Sequence, residues 1–457
     1  MAMIVMASCA KENVQPNNEP TGEKALLEIG LASTKTQLGK EDNGFFPIVW
    51  SEGDEIAVIE NMGVEGKQNV SVYSLREGAG TANGVFELVD GSPKVTNNVD
   101  VVYPASAVKG KGLIKDISSL VPKDQTQSYE DGNFDKNAAV MYFHRNNPAD
   151  KIVLEPLSSI ICIPIKGFDD NDVVTAVKWQ NMDGRTATVT LNCPNGVTLS
   201  KGQATNFYLS IQPMLKDCNG IAYVYLKNGA IQVKTPRNLK AFKAGTLHRF
   251  PEWTLSKKAK WTILGIGSER DATTWEQVPL GPAQYMIDGN DLSWWESRRK
   301  PNSDNTKAIM AGQHTVVIDL GSKQEIKGIK IKSKESKGSA KYGIKLNDGS
   351  DVLGKQSYNP PHTFHIGFTA NDPGEAAINA FTKNKTWPTG MKYTTFKSET
   401  ANGINHYYGA DKKTWWDNEI TPSISARYVF IHFQYAWNND GNGTAAPFEK
   451  IAELDIY

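Results

Sequence analysis

Cysteine is scarce, since the 457 residues contain only 4. No Cys-x-x-Cys pair and no Cys/His spacing typical of a zinc site occurs, which excludes a disulfide scaffold and a zinc-finger protein. Cys162 lies among isoleucines, which predicts a buried thiol. The spacing of Cys193 and Cys218 leaves a disulfide between them open.

An excess of either charge is also missing. Lys+Arg and Asp+Glu both number 50, so the formal net charge is zero. A dedicated nucleic-acid binder normally carries a basic surplus, and electrostatic binding to a membrane surface needs a basic cluster. We therefore expect no nucleic-acid partner. Beyond the apolar N-terminus, no run approaches the length of a membrane-spanning helix.

Motifs of catalysis are absent as well. The chain has no G-x-S-x-G, H-E-x-x-H, P-loop or G-x-G-x-x-G. His362 and His365 have only a weak metal spacing, and the neighbouring prolines favour a loop. Asp372 is typical of a cap for a short helix over 375–382, and not of an acid–base pair. We predict that the protein is not an enzyme.

Sustained helical periodicity is rare, whereas Val, Ile, Thr and aromatic residues recur in short alternating runs. Glycine (39) and proline (22) separate these runs without a regular period. This pattern is typical of strands joined by turns, so the sequence predicts an all-β fold. An aromatic-rich stretch over 355–420 is open to two interpretations, a small core or a ligand surface.

The stretch from 283 to 295 concentrates polar chemistry in a few residues. Asp288 offers a hard oxygen, and Gly289 allows a tight turn that brings main-chain carbonyls together. Oxygen ligands at short range suit calcium. A plain Asp-Gly turn between strands is the alternative. Trp294 and Trp295 are predicted core residues.

Three further stretches share a pattern with that turn. They are H-T-V-V-I-D-L-G at 314–321, A-R-Y-V-F-I-H-F at 426–433 and I-A-E-L-D-I-Y at 451–457. Together with D-G-N and S-x-W they resemble the discoidin family, also called the coagulation factor five/eight type C or galactose-binding-like domain. The resemblance covers 256–457 and implies a jelly-roll β-sandwich.

The discoidin resemblance implies a structural calcium ion that ties the first loop to the last strand. Carried over by motif, its ligands are the carbonyls of three residues, two carboxylates and one hydroxyl. These ligands are Tyr285, Asn290 and Ala452 (carbonyls), Asp288 and Glu453 (carboxylates) and Ser293 (hydroxyl). Two carboxylates with neutral oxygens favour calcium over zinc.

The same resemblance implies that a glycan binds at the loop end of the sandwich. Sugar rings stack on aromatic side chains, and their hydroxyls bind charged or amide groups. The residues in the corresponding loops are Trp275, Arg298 or Arg299, Trp437, Asn438 and Asn439. In the alternative interpretation, Trp437 packs against 440–443 and Trp275 covers the edge of the sandwich.

The N-terminal half carries another set of motifs. T-K-T-Q-L-G at 34–39, V-W-S-E-G-D-E-I-A-V at 49–58 and Y-P-A-S at 103–106 resemble the fimbrillin-like family of surface lipoproteins. The resemblance covers about 24–253 and implies tandem transthyretin-like sandwiches over 24–150 and 151–255. The charged residues at 256–260 are interpreted as a linker into the discoidin-like domain, 256–457.

Residues 1–23 are similar to a truncated lipoprotein signal followed by a tether. Met6-Ala7-Ser8-Cys9 precedes a polar, proline-containing segment, which favours Cys9 as the lipidated residue. The sequence lacks the basic region and long apolar run of a full signal. The expected location is the outer membrane surface, reached through a lipid anchor.

These observations predict a surface-anchored carbohydrate-binding or adhesin lipoprotein that takes a host or dietary glycan. One alternative is a pilus accessory or tip subunit whose C-terminal domain binds a protein, with other pilus subunits as partners. The other is an accessory protein that targets a glycosidase.

Overall fold

The computed structural model describes residues 25–31, 49–92, 98–127, 135–181, 188–214, 216–234, 236, 239–267, 282–290, 293–296, 314–336, 356–358, 361–397, 415–437, 445–446 and 450–457. Within them the chain is almost entirely β-structure, so the predicted all-β class is confirmed. The described residues contain one α-helix, and no helix among them is long and apolar enough to span a membrane.

The strands in the first part of the chain are β1 Leu26–Leu31, β2 Glu55–Glu60, β3 Asn69–Glu77, β4 Asn83–Asp90, β5 Val99–Tyr103, β6 Asp124–Thr126, β7 Met141–Arg145 and β8 Ile152–Pro156. The middle part contains β9 Ser159–Lys166, β10 Val173–Asn181, β11 Thr188–Thr198, β12 Thr205–Ile211, β13 Gly220–Leu226, β14 Ile231–Lys234, β15 Leu247–Arg249 and β16 Trp253–Thr254.

The C-terminal part contains β17 Thr262–Ile266, β18 Trp295–Glu296, β19 Thr315–Ser336, β20 Gln356–Tyr358, β21 Pro361–Thr369, α1 Gly374–Asn384, β22 Tyr393–Lys397, β23 Trp415–Trp437, β24 Ala445–Ala446 and β25 Lys450–Ile456. Single turns of 3₁₀ helix cover Ala105–Ala107, Ile117–Leu120, Lys136–Ala138, Lys257–Lys260 and Ala283–Ile287.

Seven strands of the first part form a closed barrel in the order β1-β4-β3-β2-β5-β7-β8. The strand β1 closes it by pairing antiparallel with β4 and parallel with β8. Trp50 fills the interior, with its ring centroid 4.8 Å from that of Phe86 and 5.3 Å from that of Tyr103. The sandwich expected over 24–150 is therefore a barrel, because β1 bonds through both of its edges and leaves no open edge.

The middle part is a sandwich of two sheets, ordered β14-β13-β10-β11-β6 and β12-β9-β15, with β16 also paired to β9. Alternating apolar residues of both sheets share one core around Trp179 and Phe207. Cys162, Cys193 and Cys218 are buried free thiols, so the predicted burial of Cys162 is confirmed and the pairing left open is not formed. Burial raises the pKa of the Cys193 thiol to about 12.

The C-terminal part has a nine-stranded sheet with the path β18-β25-β19-β23-β21-β22, and β17, β20 and β24 pair beside it. The long strands β19 and β23 pair through breaks in register, the first between Asp319 and Gln324. Both strands thereby wrap a single core that includes Trp295. The nine strands thus enclose one core as a β-sandwich, and the jelly-roll order of its connections stays a prediction.

The described residues fall into two compact units. One takes its residues from Met1–Ser33, Ile48–Lys115 and Tyr142–Glu155, and the other from the rest of the chain. Strand β6 lies before the expected boundary at residue 150, yet it pairs parallel with β11 of the middle sandwich. The middle and C-terminal parts fall in the same unit. The boundaries at 150 and 255 stay predictions.

Candidate functional site

The candidate site begins at the turn after the 3₁₀ helix Ala283–Ile287. Asp288 ends this helix, and Gly289 follows with φ of +82°, a conformation that favours glycine. The Asp288 carboxylate accepts a 2.8 Å hydrogen bond from the Asn290 backbone N–H and a 2.6 Å bond from the Ser293 hydroxyl. The turn thus wraps around its own carboxylate, which is only 1% exposed.

The last strand brings the other predicted ligands to this turn. Trp295 of β18 pairs with Ile451 of β25, so the two ends of the C-terminal sandwich lie side by side. Ala452 and Glu453 follow in β25, and both are buried. The carboxyl groups of Asp288 and Glu453 are both buried, and they interact electrostatically with each other.

Lys258 completes the cluster. Its ammonium group contacts the Glu453 Oε1 atom and donates a 2.6 Å hydrogen bond to the Leu454 carbonyl. The lysine belongs to the 3₁₀ turn Lys257–Lys260, which the sequence indicated as a charged linker. In sequence this lysine is not distinguished from its charged neighbours, except by its position three residues before Trp261 at the predicted start of the domain.

Burial dominates the electrostatics of the cluster. Together with the neighbouring Glu453 carboxylate, it raises the pKa of Asp288 well above its usual value. Hydrogen bonds from Ser293 and Asn290 and the charge of Lys258 act in the opposite direction. Burial raises the pKa of Glu453 to about 7, although the Lys258 ammonium and a backbone hydrogen bond from Gly289 lower it.

The fit of this cluster to calcium is partial. The oxygens of Asp288, Ser293 and Glu453 are hard ligands of the predicted kind. However, the Lys258 ammonium lies directly against Glu453, one of the two predicted carboxylate ligands. Among the described residues, no group of three or more His, Cys, Asp or Glu side chains could hold a metal ion. Calcium stays a prediction.

The Tyr285 side chain has a role that the motif did not indicate. It lies in a cluster with Ile221 and Val233 of the middle sandwich, and its ring stacks on that of Tyr223 with the centroids 6.0 Å apart. The Val233 backbone N–H donates a 3.1 Å hydrogen bond to the Asp288 carbonyl. The turn that carries the site is thus packed against the preceding sandwich.

The predicted core residues Trp294 and Trp295 are both buried, so that prediction is confirmed. The predicted lipidation residue Cys9 and most predicted glycan-binding residues lie outside the described residues. These are Trp275, Arg298, Arg299, Asn438 and Asn439. For Trp437 the structure describes the backbone, which pairs with Ala445 at the end of β23.

The described part of the aromatic-rich stretch combines core and surface. Trp387 packs against Phe381 of α1, with the ring centroids 4.6 Å apart. Tyr393 stacks on the outer side of Trp387 at 4.7 Å and is 50% exposed. The N-cap of α1 is Pro373, without a side-chain cap, so the predicted cap Asp372 lies one residue too early; its carboxylate accepts a 2.8 Å hydrogen bond from the Gly374 N–H just outside the cap position.

The predicted loop at His362 and His365 is a strand, since both residues belong to β21. Cross-strand pairing with β23 sets His365 opposite His432, and their rings stack with centroids 5.6 Å apart. His365 also lies within hydrogen-bonding distance of Thr395 and Gln434. The neighbouring prolines favoured a loop, but long-range pairing with β23 overrides this local preference.

No family model matches the sequence, and no curated protein matches it. The C-terminal 44% of the chain resembles solved carbohydrate-binding modules of family 32, which are galactose-binding-like domains. One match is the C-terminal domain of a chitobiase from Bacteroides fragilis, with 20% identity over 44% of this chain and 95% of that chain, and a TM-score of 0.26.

A second match is a family 32 module from Clostridium perfringens in complex with galactose, with 14% identity over 44% of this chain and 95% of that chain, and a TM-score of 0.25. A third is another module from that organism in complex with GalNAc-β-1,3-galactose, with 12% identity, 44% and 97% coverage and a TM-score of 0.25. TM-scores this low leave the function to be argued from this chain's own residues.

Proposed function

We propose that this protein is a non-enzymatic glycan-binding protein whose binding site lies in residues 256–457. The proposal is supported by the way in which motifs far apart in sequence meet in one sandwich. The Asp288 turn lies beside β25, and β25 pairs with β19, which carries the V-I-D-L-G motif. Strand β23, with the A-R-Y-V motif, pairs with the other edge of β19. In the discoidin family this arrangement presents ligand-binding loops.

The proposed platform consists of Trp275 and Trp437, with a polar partner in Arg298 or Arg299 and in Asn438. A flat indole covers the apolar face of a sugar ring, while guanidinium and amide groups bind its hydroxyls. The half-exposed Tyr393, which stacks on Trp387, is the competing platform.

Glycan-array binding of the full chain, followed by calorimetry on the best ligand, tests the proposal. Galactose and N-acetylgalactosamine are the first probes. We expect Trp275→Ala and Trp437→Ala each to weaken binding by about 1–3 kcal/mol, roughly 5- to 150-fold, as for other binding aromatics. The matched control Tyr393→Ala should leave the affinity unchanged.

Two outcomes would contradict these assignments. Loss of binding only in the Tyr393→Ala variant would move the platform to the aromatic-rich stretch. A blank array for the wild-type chain, with capture of a purified pilus subunit instead, would favour the alternative of a pilus accessory subunit and overturn glycan binding.

We further propose that the chain is a surface lipoprotein anchored to the outer membrane through Cys9, with a fimbrillin-like N-terminal half. The support is the Ala-Ser-Cys sequence before a polar tether. Stable anchoring needs two lipid signals, which a diacylated cysteine supplies. Behind a complete signal peptide, Cys9→Ser should move the protein from the membrane fraction to the soluble fraction. Unchanged fractionation would rule out the anchor.

A further inference from the structure

A buried lysine is unusual because an ammonium group loses its hydration when it leaves water. In the part of the chain that the structure describes, the buried lysines are Lys258 and Lys332, and 9% of the Lys258 side chain is exposed. Its backbone is held in place by Ser256, whose hydroxyl accepts a hydrogen bond from the Lys258 N–H. The 3₁₀ turn therefore presents this side chain inward as a fixed feature of the fold.

The surroundings of the ammonium group resemble those of a bound cation. A carboxylate oxygen of Glu453 and the main-chain carbonyl of Leu454 accept its hydrogen bonds. The ring of Trp261 lies 5.7 Å from Nζ, within the range of a cation–π contact. An anionic oxygen, a neutral oxygen and an aromatic face thus surround one positive charge.

The cluster also needs a positive charge. Asp288 and Glu453 are both almost completely buried and interact with each other. Two carboxylates that share a buried site repel one another, and a cation between the loop and the last strand relieves that repulsion. Lys258 interacts with both carboxyl groups, so one side chain of this chain provides the charge.

Calcium and an ammonium group make different demands on such a site. Calcium takes about six to eight oxygens at roughly 2.3–2.6 Å, whereas an ammonium group has three N–H donors. Lys258 uses Glu453 and the Leu454 carbonyl, which lie next to the predicted carbonyl ligand Ala452. A calcium ion in the predicted position would have to compete with this resident charge for Glu453.

We propose that the ammonium group of Lys258 is the permanent cation of this site and takes the place of a calcium ion. In this arrangement the Lys258 side chain extends from the turn at 257–260 and brings its positive charge to the Asp288 turn and the last strand. The same turn contacts the middle sandwich, because the Asn228 side-chain amide donates a 2.8 Å hydrogen bond to the Ala259 carbonyl. Lys258 therefore fixes the C-terminal sandwich at its junction with the preceding one, without dependence on free calcium.

The first test uses the full unsubstituted chain. After dialysis against EDTA, the melting temperature is measured in EDTA and in calcium at about 2 mM, and bound calcium is counted by elemental analysis. A ligand that binds only the native state raises the melting temperature, so we expect a change below about 1 °C and no retained calcium. A rise of several degrees with one calcium bound per chain would overturn the proposal.

The second test removes the charge. Lys258→Met keeps the apolar stem, and because it leaves buried carboxylates uncompensated we expect the melting temperature to fall by about 5–10 °C. The control is Lys240→Met, which removes an exposed lysine paired with Asp217 and should change it by about 1 °C or less. Equal effects of the two variants would contradict the proposal.

A third variant keeps the proposal testable if Lys258→Met does not fold. The double variant Lys258→Met with Glu453→Gln removes both partners, so no uncompensated charge is left at that contact. We expect it to fold even if Lys258→Met does not, and otherwise to recover at least about half of the melting temperature that Lys258→Met loses, since the two residues are coupled. If the melting temperature of the double variant fell by the sum of the falls in Lys258→Met and Glu453→Gln, Lys258 would not be compensating the charge of Glu453.

Discussion

The guanidinium group of Arg427 donates two parallel hydrogen bonds to the carboxylate of Asp319, from Nε to Oδ1 and from Nη2 to Oδ2, each 2.8 Å long. Asp319 also accepts a 2.8 Å hydrogen bond from the Gly321 N–H. The two residues come from separate motifs, V-I-D-L-G in β19 and A-R-Y-V in β23. This bidentate pair explains why both motifs carry a charged residue at the same level of the sheet.

Replacing the arginine tests that pair. Arg427→Lys keeps the charge but loses the planar fork, so we expect a loss of about 1 kcal/mol in the free energy of unfolding. Because the pair is partly exposed, the loss should shrink at high salt. Urea unfolding in low and high salt measures both effects. Lys240→Ala, which breaks the exposed pair with Asp217, is the control and should be nearly neutral.

Two buried histidines give the C-terminal sandwich a defined response to acid. Burial lowers the pKa of His314 to about 4. Burial, with the charges of Lys385, His365 and His314, lowers the pKa of His432 to about 3. Both side chains therefore stay neutral in the folded protein at pH values where an unfolded histidine is protonated.

The consequence is a loss of stability in acid. The unfolded chain binds more protons than the folded one below about pH 6.5, so stability falls as the pH falls from there towards the folded pKa values. Each histidine contributes up to about 1.4 kcal/mol per pH unit in that window. The raised pKa values of the buried Asp288 and Glu453 carboxyl groups act in the opposite direction, so only the change caused by removing one histidine is predicted. His432→Phe should lower the slope of unfolding free energy against pH by up to about 1.4 kcal/mol per pH unit between pH 6 and 4. An unchanged slope would show that His432 is not held neutral in the folded protein.

Gly220 is the most crowded glycine in the middle sandwich. A Cβ atom added there would lie 1.7 Å from the Trp179 ring, which is fully buried. The ring cannot move without opening the core, so we expect Gly220→Ala to destabilise the protein by about 3 kcal/mol or more. Gly202→Ala meets only a serine oxygen at 3.7 Å and is the matched control. Equal stability of the two variants in thermal unfolding would contradict this packing.

The contact between the middle and C-terminal sandwiches is a further test of the structure. Tyr285→Ala removes the ring that stacks on Tyr223, and should cost about 3 kcal/mol, whereas Tyr285→Phe keeps the ring and should cost about 1 kcal/mol. Residues 256–457 expressed alone should lose this stack as well, and therefore melt at a lower temperature than the same residues in the full chain. Equal melting temperatures would show that the stack does not stabilise the fold.

Much of the fold follows from local sequence. Alternating apolar residues separated by glycine and proline predict strands, because the side chains of a strand alternate between two faces. The tryptophans at 294 and 295 were predicted as core and are buried, and a helix does follow Asp372, although its N-cap is Pro373. The motifs of the discoidin family correctly indicated which turn lies beside the last strand.

Other features were decided only by the tertiary structure. Closure of the barrel depends on β1 pairing with two partners, and β6 joins a sheet beyond the expected boundary, because strand pairing is set by contacts between distant segments. His365 lies on a strand for the same reason. Lys258 is the clearest case. In sequence it is one of several charged residues in a linker, and only the approach of β25 buries its ammonium group beside Glu453, since a carboxylate nearly 200 positions away supplies the partner that makes burial possible.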